Sequence, residues 1–281
     1  MRLKPTFTIQ QADQGLDSAL EILESARDVA ITDSKDPRAA YLYGINFAVE
    51  KLLPFAVPDL SAALQSTTFW NILQAARDQP MMLRWIVLNE LNVQIPALAK
   101  AREDLDVLKA YTARPGLPLV YDTNMLNHFN HPDAIDWRKA VRHATGKKAS
   151  AIRLIVPQEV IGELDRQKYG QGDLARRANA AIRYLDTALL TAPPGEPVQI
   201  REGVTIETRL APPGPAHVID VDWEILMCAD ELHHLNPAAR VHVLTNDRNM
   251  GLRASQLHLP TLTLDNHYRR DHNTCTSACP R

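Results

Sequence analysis

At 281 residues the chain has room for two modest domains or one large one. A hydrophobic fraction of 45% and a charged fraction of 23% are those of an ordinary soluble globular protein, and a formal net charge of −2 excludes a generally basic nucleic-acid coat, so any contact with phosphates must use a local basic patch. The opening "MRLKPTFTIQQADQ" lacks the apolar core of a secretory signal, no run approaches the roughly 18 apolar residues of a membrane span, and Cys228, Cys275 and Cys279 make no disulfide framework, so a cytoplasmic, non-membrane protein is expected.

Residues 1–113 read as a helical domain. "GLDSALEILESARDVA" sets Leu16, Leu20, Leu23 and Ala26 on one stripe of a helix. "DPRAAYLYGINFAVEKLL" carries a start signal, with Asp36 as N-cap and Pro37 at the first helical position. A third helix is expected from Pro58 and Asp59, bearing Leu60, Leu64 and Trp70. "MMLRWIVLNEL" and "IPALAKAREDLDVLKAYTA" are expected to complete a set of about five.

"ARPGLP" breaks the pattern, and an α/β domain is expected over 114–265, with a polar tail at 266–281. "LPLVYD" is a short buried strand. A helical stretch through "IDWRKAVRHA" and the turn "TGKKAS" lead to a second strand, "AIRLIVP", which runs into a helix with Pro157 in its first turn. "DLARRANAAIRYLDTALL" is an amphipathic helix whose expected core side is Leu174, Ala178, Ile182, Leu185 and Leu189. The proline-rich stretch from Thr191 to Pro215 holds "PVQIREGVTIETRL", read as an inserted β-hairpin turning near Glu202–Gly203. A helix from about Asp220, the strand "VHVLT", a short helix and the strand "LPTLTL" follow. Alternation of strand and helix predicts an α/β fold of three layers, α/β/α, with a central parallel sheet.

Four acids stand where such a sheet delivers carboxylates to one place. Asp122 and Asp247 each end an apolar run and begin a polar turn, at the carboxyl edge where open sheets bind ligands. Glu163 follows Val160 and precedes Leu164, beside the packing face of its helix, and Asp222 lies in line with Leu226 and Ala229. A single Asp after a strand is ordinarily a turn former or N-cap, and the structural alternative for Glu163 and Asp222 is a pair of buried acceptors for Arg or backbone N–H groups. Several in one crevice repel unless a cation neutralises them, and an oxygen-only set suits Mg²⁺ or Mn²⁺. That chemistry points to phosphodiester hydrolysis. No phosphate-binding or dinucleotide glycine loop and no G-x-S-x-G elbow occurs, and Asn124 stands where a strand-end phosphatase would need a second Asp.

In order, "VYDTN", "VPQEVIGELDRQK", "DVDWEI" and "LTNDRN" resemble the PIN-domain nuclease family, over roughly residues 117–265. The resemblance implies a PIN-like domain in which Asp122, Glu163, Asp222 and Asp247 gather around one or two divalent metals. Asp222 is matched in preference to Asp220 because the family's apolar residue three after the acid falls on Ile225. The implied reaction is a hydrolytic cut leaving a 5′-phosphate and a 3′-hydroxyl.

Neighbouring residues fill out the expected site. Thr245 and Asn246 are candidates to orient the carboxylates or a metal-bound water, and Asn124 to do so or to touch substrate; turn formation and capping are their ordinary alternatives. Arg248, directly after Asp247, is the first candidate for a substrate phosphate contact, with Arg166 a second. Lys168, Arg176, Arg177 and Arg183 are further basic residues whose ordinary reading is solvated helix charge, and Asp165 reads as a salt-bridged neighbour. The expected function is a metal-dependent endoribonuclease acting on single-stranded RNA in preference to DNA. The rival reading is a catalytically silent PIN-like RNA-binding or scaffold protein. The helical domain has no catalytic signature and is expected to shape substrate access, dimerise or bind a partner protein. His267, His272, Cys275 and Cys279 are spaced more loosely than paired zinc ligands.

Overall fold

In α1 (Ile9–Thr32) the buried residues Ala12, Leu16, Ala19, Leu23, Ala26 and Ala30 recur at steps of four and three, one face of a helix. Alanines on that face let α2 (Pro37–Lys51) approach closely: a Cβ added at Gly44 would stand 3.4 Å from the Ala26 Cβ. Ala19 thus takes the place expected of Leu20, which is half-buried. Asp36 caps α2 by accepting from the Arg38 N–H, with Pro37 first in the helix. The computed structural model describes residues 3–4, 7–32, 36–55, 59–74, 80–190, 192–210 and 220–270. The chain divides into two compact units, Met1–Ala113 and Arg114–Arg281.

Two helix expectations in the first unit need correction. The third helix is two pieces, α3 (Asp59–Leu64) and α4 (Thr67–Gln74), and Trp70 is exposed; Pro58 lies outside the described residues. The break falls at Ser66, whose C=O accepts from the Trp70 N–H while its hydroxyl donates to Glu90 (3.0 Å). Conversely, the last two expected helices are one, α5 (Pro80–Thr112), running through Pro96. Proline there cannot donate to the Asn92 C=O, but Asn92 and Pro96 both face solvent, where water takes the freed acceptor.

The second unit is built on six strands in the order β3-β4-β2-β1-β5-β6. In chain order they are β1 (Leu117–Tyr121), β2 (Ile152–Pro157), β3 (Val198–Arg201), β4 (Val204–Arg209), β5 (His242–Leu244) and β6 (Thr261–Leu262). All pairings are parallel except β3 with β4. Every residue of β2 is buried, which requires cover on both faces and makes the unit a three-layer α/β/α fold. That cover comes from α6 (Thr123–His128), α7 (Trp137–Thr145), α8 (Gln158–Gln167), α9 (Asp173–Leu189), α10 (Val221–Leu235) and α11 (Arg248–Gln256). Pro157 closes β2 and precedes α8 as its N-cap residue, one position earlier than expected.

The hairpin is not an insertion. It turns at Glu202–Gly203 as expected, but β4 pairs with β2 along six residues, from Ile152↔Val204 to Pro157↔Arg209, and only β3 is an antiparallel edge. Gly203 is needed at the turn: its φ is 69°, and a Cβ there would lie 2.8 Å from Arg138 Nη2. On α9 the buried stripe is Ala175, Ala178, Ala181 and Leu185, while Leu174 is 44% exposed, so the expected core side is rotated. β6 is shorter than "LPTLTL", because beyond Leu262 the Asn246 side chain takes over the ladder, accepting from the Leu264 N–H (2.9 Å) and donating to its C=O (2.8 Å). The first residues expected in the tail, 266–270, are held against the unit, and the rest, 271–281, lie outside the described residues. Tyr268 is buried, its C=O accepts from the Asn130 N–H, and the Arg270 N–H donates to the His128 C=O. Of the four loose zinc candidates, His267 packs on Tyr268, and His272, Cys275 and Cys279 lie outside the described residues. Among the described residues no helix is long and apolar enough to cross a membrane.

Candidate functional site

From β1 the chain moves to one side, to β2 and β4, and later returns to the other side as β5 and β6. This reversal opens a crevice outside the carboxyl ends of β1 and β5, where open α/β sheets bind ligands. Asp122 and Asp247 stand on its two sides. Asp122 prolongs the β1–β5 ladder, its N–H donating to the Leu244 C=O (3.1 Å), and it caps α6 by accepting from the Asn124 N–H (3.2 Å). Asp247 caps α11, accepting from the N–H groups of Asn249 (2.6 Å) and Met250 (3.1 Å). Thr245 joins the two: its hydroxyl donates to Asp122 Oδ2 (2.6 Å) and accepts from the Asp247 N–H (2.9 Å).

Capping accounts for the position of both acids, but not for the burial of Asp122. That residue is 1% exposed. Burial pushes its carboxyl up to about 6, and Asp222 and Asp247 push the same way, against the hydrogen bonds from Thr245 and Asn124. Among the described residues no Lys, Arg or His is ion-paired with it.

Glu163 comes from α8, which leaves β2 at the same edge of the sheet. It is half-buried and accepts from the Thr123 hydroxyl (2.5 Å) and Gln167 Nε2 (3.0 Å). Gln167 in turn accepts from Asn127 Nδ2 (2.7 Å), so α6 and α8 are laced together beside the crevice. Asp222 lies in the first turn of α10. Its carboxyl is raised by burial first and then by Asp220, Glu163 and Asp247, against Arg253. Asp220 has the other fate. It caps α10 through the Trp223 N–H and pairs with Arg253 (2.6 Å), whose hydrogen bond holds its carboxyl below the usual range. Of the two acids, Asp222 is therefore the one turned to the other carboxylates.

The remaining candidates divide. Asn246 holds the Leu264 backbone, and Asn124 is exposed, contributing its N–H. Arg248 is exposed, with no hydrogen bond or ion pair of its guanidinium among the described residues. Arg166 turns back to the Gly162 C=O (3.3 Å), and Asp165 pairs with Lys168. Sequence reasoning missed Thr123, Gln167 and Arg253. Thr123 adjoins Asp122 and Gln167 stands four after Glu163 on one helix, so both had a local signal. Arg253 reaches Asp220 across 33 residues and had none.

The donor set is carboxylate throughout, which fits a hard divalent cation and not a thiolate- or imidazole-seeking one. The acids act on each other at electrostatic range, yet among the described residues no three His, Cys, Asp or Glu side chains stand close enough to hold an ion together. The family model described as PIN domain matches residues 119–265, from within β1 to just past β6, a stretch that includes all four acids. No curated protein matches the chain. With just over half of its 281 residues inside that match, the chain belongs to the PIN-domain family.

Proposed function

We propose that the second unit is a divalent-metal-dependent endoribonuclease hydrolysing phosphodiester bonds of single-stranded RNA, with Mg²⁺ or Mn²⁺ as its metal and the cytoplasm as its setting. PIN domains are generally nucleases and generally use divalent metals. The observation that carries the reading is Asp122: a carboxyl 1% exposed, at the reversal point of the sheet, with other carboxylates bearing on it and no cationic partner among the described residues. Burying such a group is costly unless a cation joins it. Asp122, Glu163, Asp222 and Asp247 would hold the ion, which when bound supplies an activated water and charge stabilisation at the attacked phosphate. Thr245 fixes Asp122 Oδ2 and the Asn124 N–H fixes Oδ1, while Thr123 and Gln167 fix Glu163. The exposed guanidinium of Arg248, next to Asp247, would meet the substrate phosphate.

Hydrolysis by a water does not need the ribose 2′-hydroxyl, so preference for RNA would come from contacts to that group and from single-strand geometry. A net charge of −2 implies few phosphate contacts and a shallow salt dependence. The test is metal-dependent cleavage of matched single strands and duplexes of RNA and DNA. Single-stranded RNA is expected to be cut first. Arg248→Ala is expected to lower turnover about tenfold, the loss of one charge-assisted contact. Arg176→Ala should cost less, because Arg176 is already paired with Asp173 (2.5 Å). Cutting of duplex DNA with none of RNA would overturn the substrate class. RNA binding without cleavage under either metal would favour the silent scaffold.

The helical unit has a surface suited to a second copy of the chain. From residue 81 to 99 the exposed positions of α5 carry no charge: Met81, Met82, Trp85, Ile86 and Val93 are apolar, and Asn89 and Asn92 are amides. Its two charged residues turn inward, Arg84 to the Ala30 C=O and Glu90 to Ser66 and Gln94. Beyond Lys100 the exposed face is charged, with Glu103, Asp104 and Asp106. Met82, Ile86, Asn89, Val93 and Pro96 alternate in steps of four and three with Asn89 at the middle, a seam that two antiparallel copies would share. Trp70 and Leu73 of α4 are also exposed and apolar, and a standard interface covers about 800 Å² on each partner. The chain is expected to be a dimer by light scattering at micromolar concentration, and Trp85→Glu with Val93→Arg to be a monomer. A monomeric parent would remove this assignment.

A further inference from the structure

A cavity of about 650 Å³ lies along α9, lined by Arg176, Asn179, Arg183, Tyr184 and Thr187 and by His131 from the segment after α6. It is open to solvent, a groove more than an enclosed pocket. The charged residues of this lining are both arginines, in a chain whose net charge is −2. Arg183 is exposed, and its guanidinium has no hydrogen bond or ion pair among the described residues. His131 and Tyr184 meet edge to face, with ring centroids 4.5 Å apart, an arrangement that leaves an aromatic face for a further ring. Burial, then Arg270, hold the His131 imidazole below its usual range, with Asp133 opposing more weakly, so the ring is a neutral platform at pH 7.

The cavity is tied to the carboxylates through α6. That helix begins directly after Asp122 and ends at His128, about 9 Å along its axis. Arg177 of α9 contacts His128 Nδ1 (2.8 Å), holding the two helices together. A crevice of carboxylates repels the phosphates of any strand it is to cut, so the strand needs a cationic hold elsewhere. We propose that this cavity is a nucleotide subsite for a single strand. Arg183 takes a phosphate, and the His131–Tyr184 pair stacks on an unpaired base, one or more nucleotides from the bond that is cut. The proposal rests on the nuclease reading and adds to it the place that holds the flanking strand. Stacking plus backbone cations is how single strands are bound without sequence readout, and a duplex does not offer its base faces.

The experiment is fluorescence anisotropy of the full chain with a labelled uridine decamer, in EDTA and at low salt. Arg183→Glu is expected to weaken binding at least about tenfold, and Arg183→Lys by no more than about threefold, since the site needs a cation there. His131→Ala is expected to weaken it about fivefold or more, the loss of one stacked base. Thermal melts of the variants show that each is folded. Binding by both Arg183→Glu and His131→Ala within about twofold of the parent would overturn the subsite, as would equal displacement of the decamer by a poly-glutamate peptide. A parent that binds through Arg183 but cuts nothing with Mn²⁺ keeps the subsite and removes the nuclease. A parent that cuts RNA while both variants bind and cut like it removes the subsite alone.

Discussion

Asp122→Asn is expected to lower metal-dependent cleavage by on the order of a hundredfold to a thousandfold, the scale on which a charge-stabilising group at a reaction centre acts. The same change is expected to make the metal-free protein more stable at neutral pH. In the folded chain the Asp122 carboxyl is raised from 3.8 to about 6. A folded value above the unfolded one means that stability from this group is fully present below about pH 4 and is lost as pH rises through about 6. With roughly 1.4 kcal/mol per unit, the metal-free parent gives up about 3 kcal/mol over that window. Asparagine cannot ionise, so the variant escapes the loss. It forfeits part of the gain, because Thr245 and the Asn124 N–H use different oxygens of Asp122 and the amide offers only one; that costs about 1 kcal/mol. In EDTA at pH 7.5, denaturant unfolding should therefore find the variant about 1–2 kcal/mol the more stable, with the order lost or reversed near pH 4. Mn²⁺ should raise the melting temperature of the parent more than that of the variant. Equal shifts in the two would take Asp122 out of the metal site.

What could be foreseen in this chain was set by near neighbours. Asp122 and Asp247 are legible because an apolar strand followed by a side chain that caps the next helix is a local pattern, and Asp36–Pro37 is legible for the same reason. The features that escaped depend on partners far along the chain. The helical run breaks at Ser66, whose hydroxyl bonds Glu90, 24 residues on. The hairpin belongs to the sheet because β4 finds β2, from Ile152↔Val204 onward, and no pattern within the hairpin announces that. On α9 the alanines allowed two stripes about one position apart, and the buried one carries Ala175 and Ala181 in place of Leu174 and Ile182, where small side chains admit a close neighbour. At the site the acids themselves were legible, but their arrangement was not. Thr245 reaches Asp122 across 123 residues, and only the pairing of β5 with β1 brings them together.

The largest expected effect on stability lies in the same sheet, away from the acids. Glu207 of β4 is 0% exposed and Arg153 of β2 is 3% exposed. Arg153 donates to Glu207 Oε1 through Nε (2.9 Å) and Nη2 (2.6 Å), and Arg114 takes Oε2 (2.5 Å), so both carboxylate oxygens are used. Glu207→Gln leaves a guanidinium buried without its counter-charge and is expected to cost about 3–5 kcal/mol. Arg153→Met should cost less, because Arg114 still reaches Glu207 from a partly exposed position. Replacing both, Arg153→Met with Glu207→Leu, removes the two charges together and should recover most of the loss, to within about 1 kcal/mol of the parent. The pair also fixes register. Sliding β4 by one residue would carry Glu207 to the opposite face of the sheet, at the cost of an unpaired buried carboxylate. β2 leads directly into α8 and Glu163, so a correct register on this side of the sheet is a condition for placing one of the four acids. Cleavage per folded molecule should nevertheless be unchanged in Glu207→Gln at a temperature where it is still folded, because the pair touches none of the reacting groups. A double variant as unstable as the single would mean that what β4 loses is packing that leucine and methionine cannot supply, and not an orphaned charge.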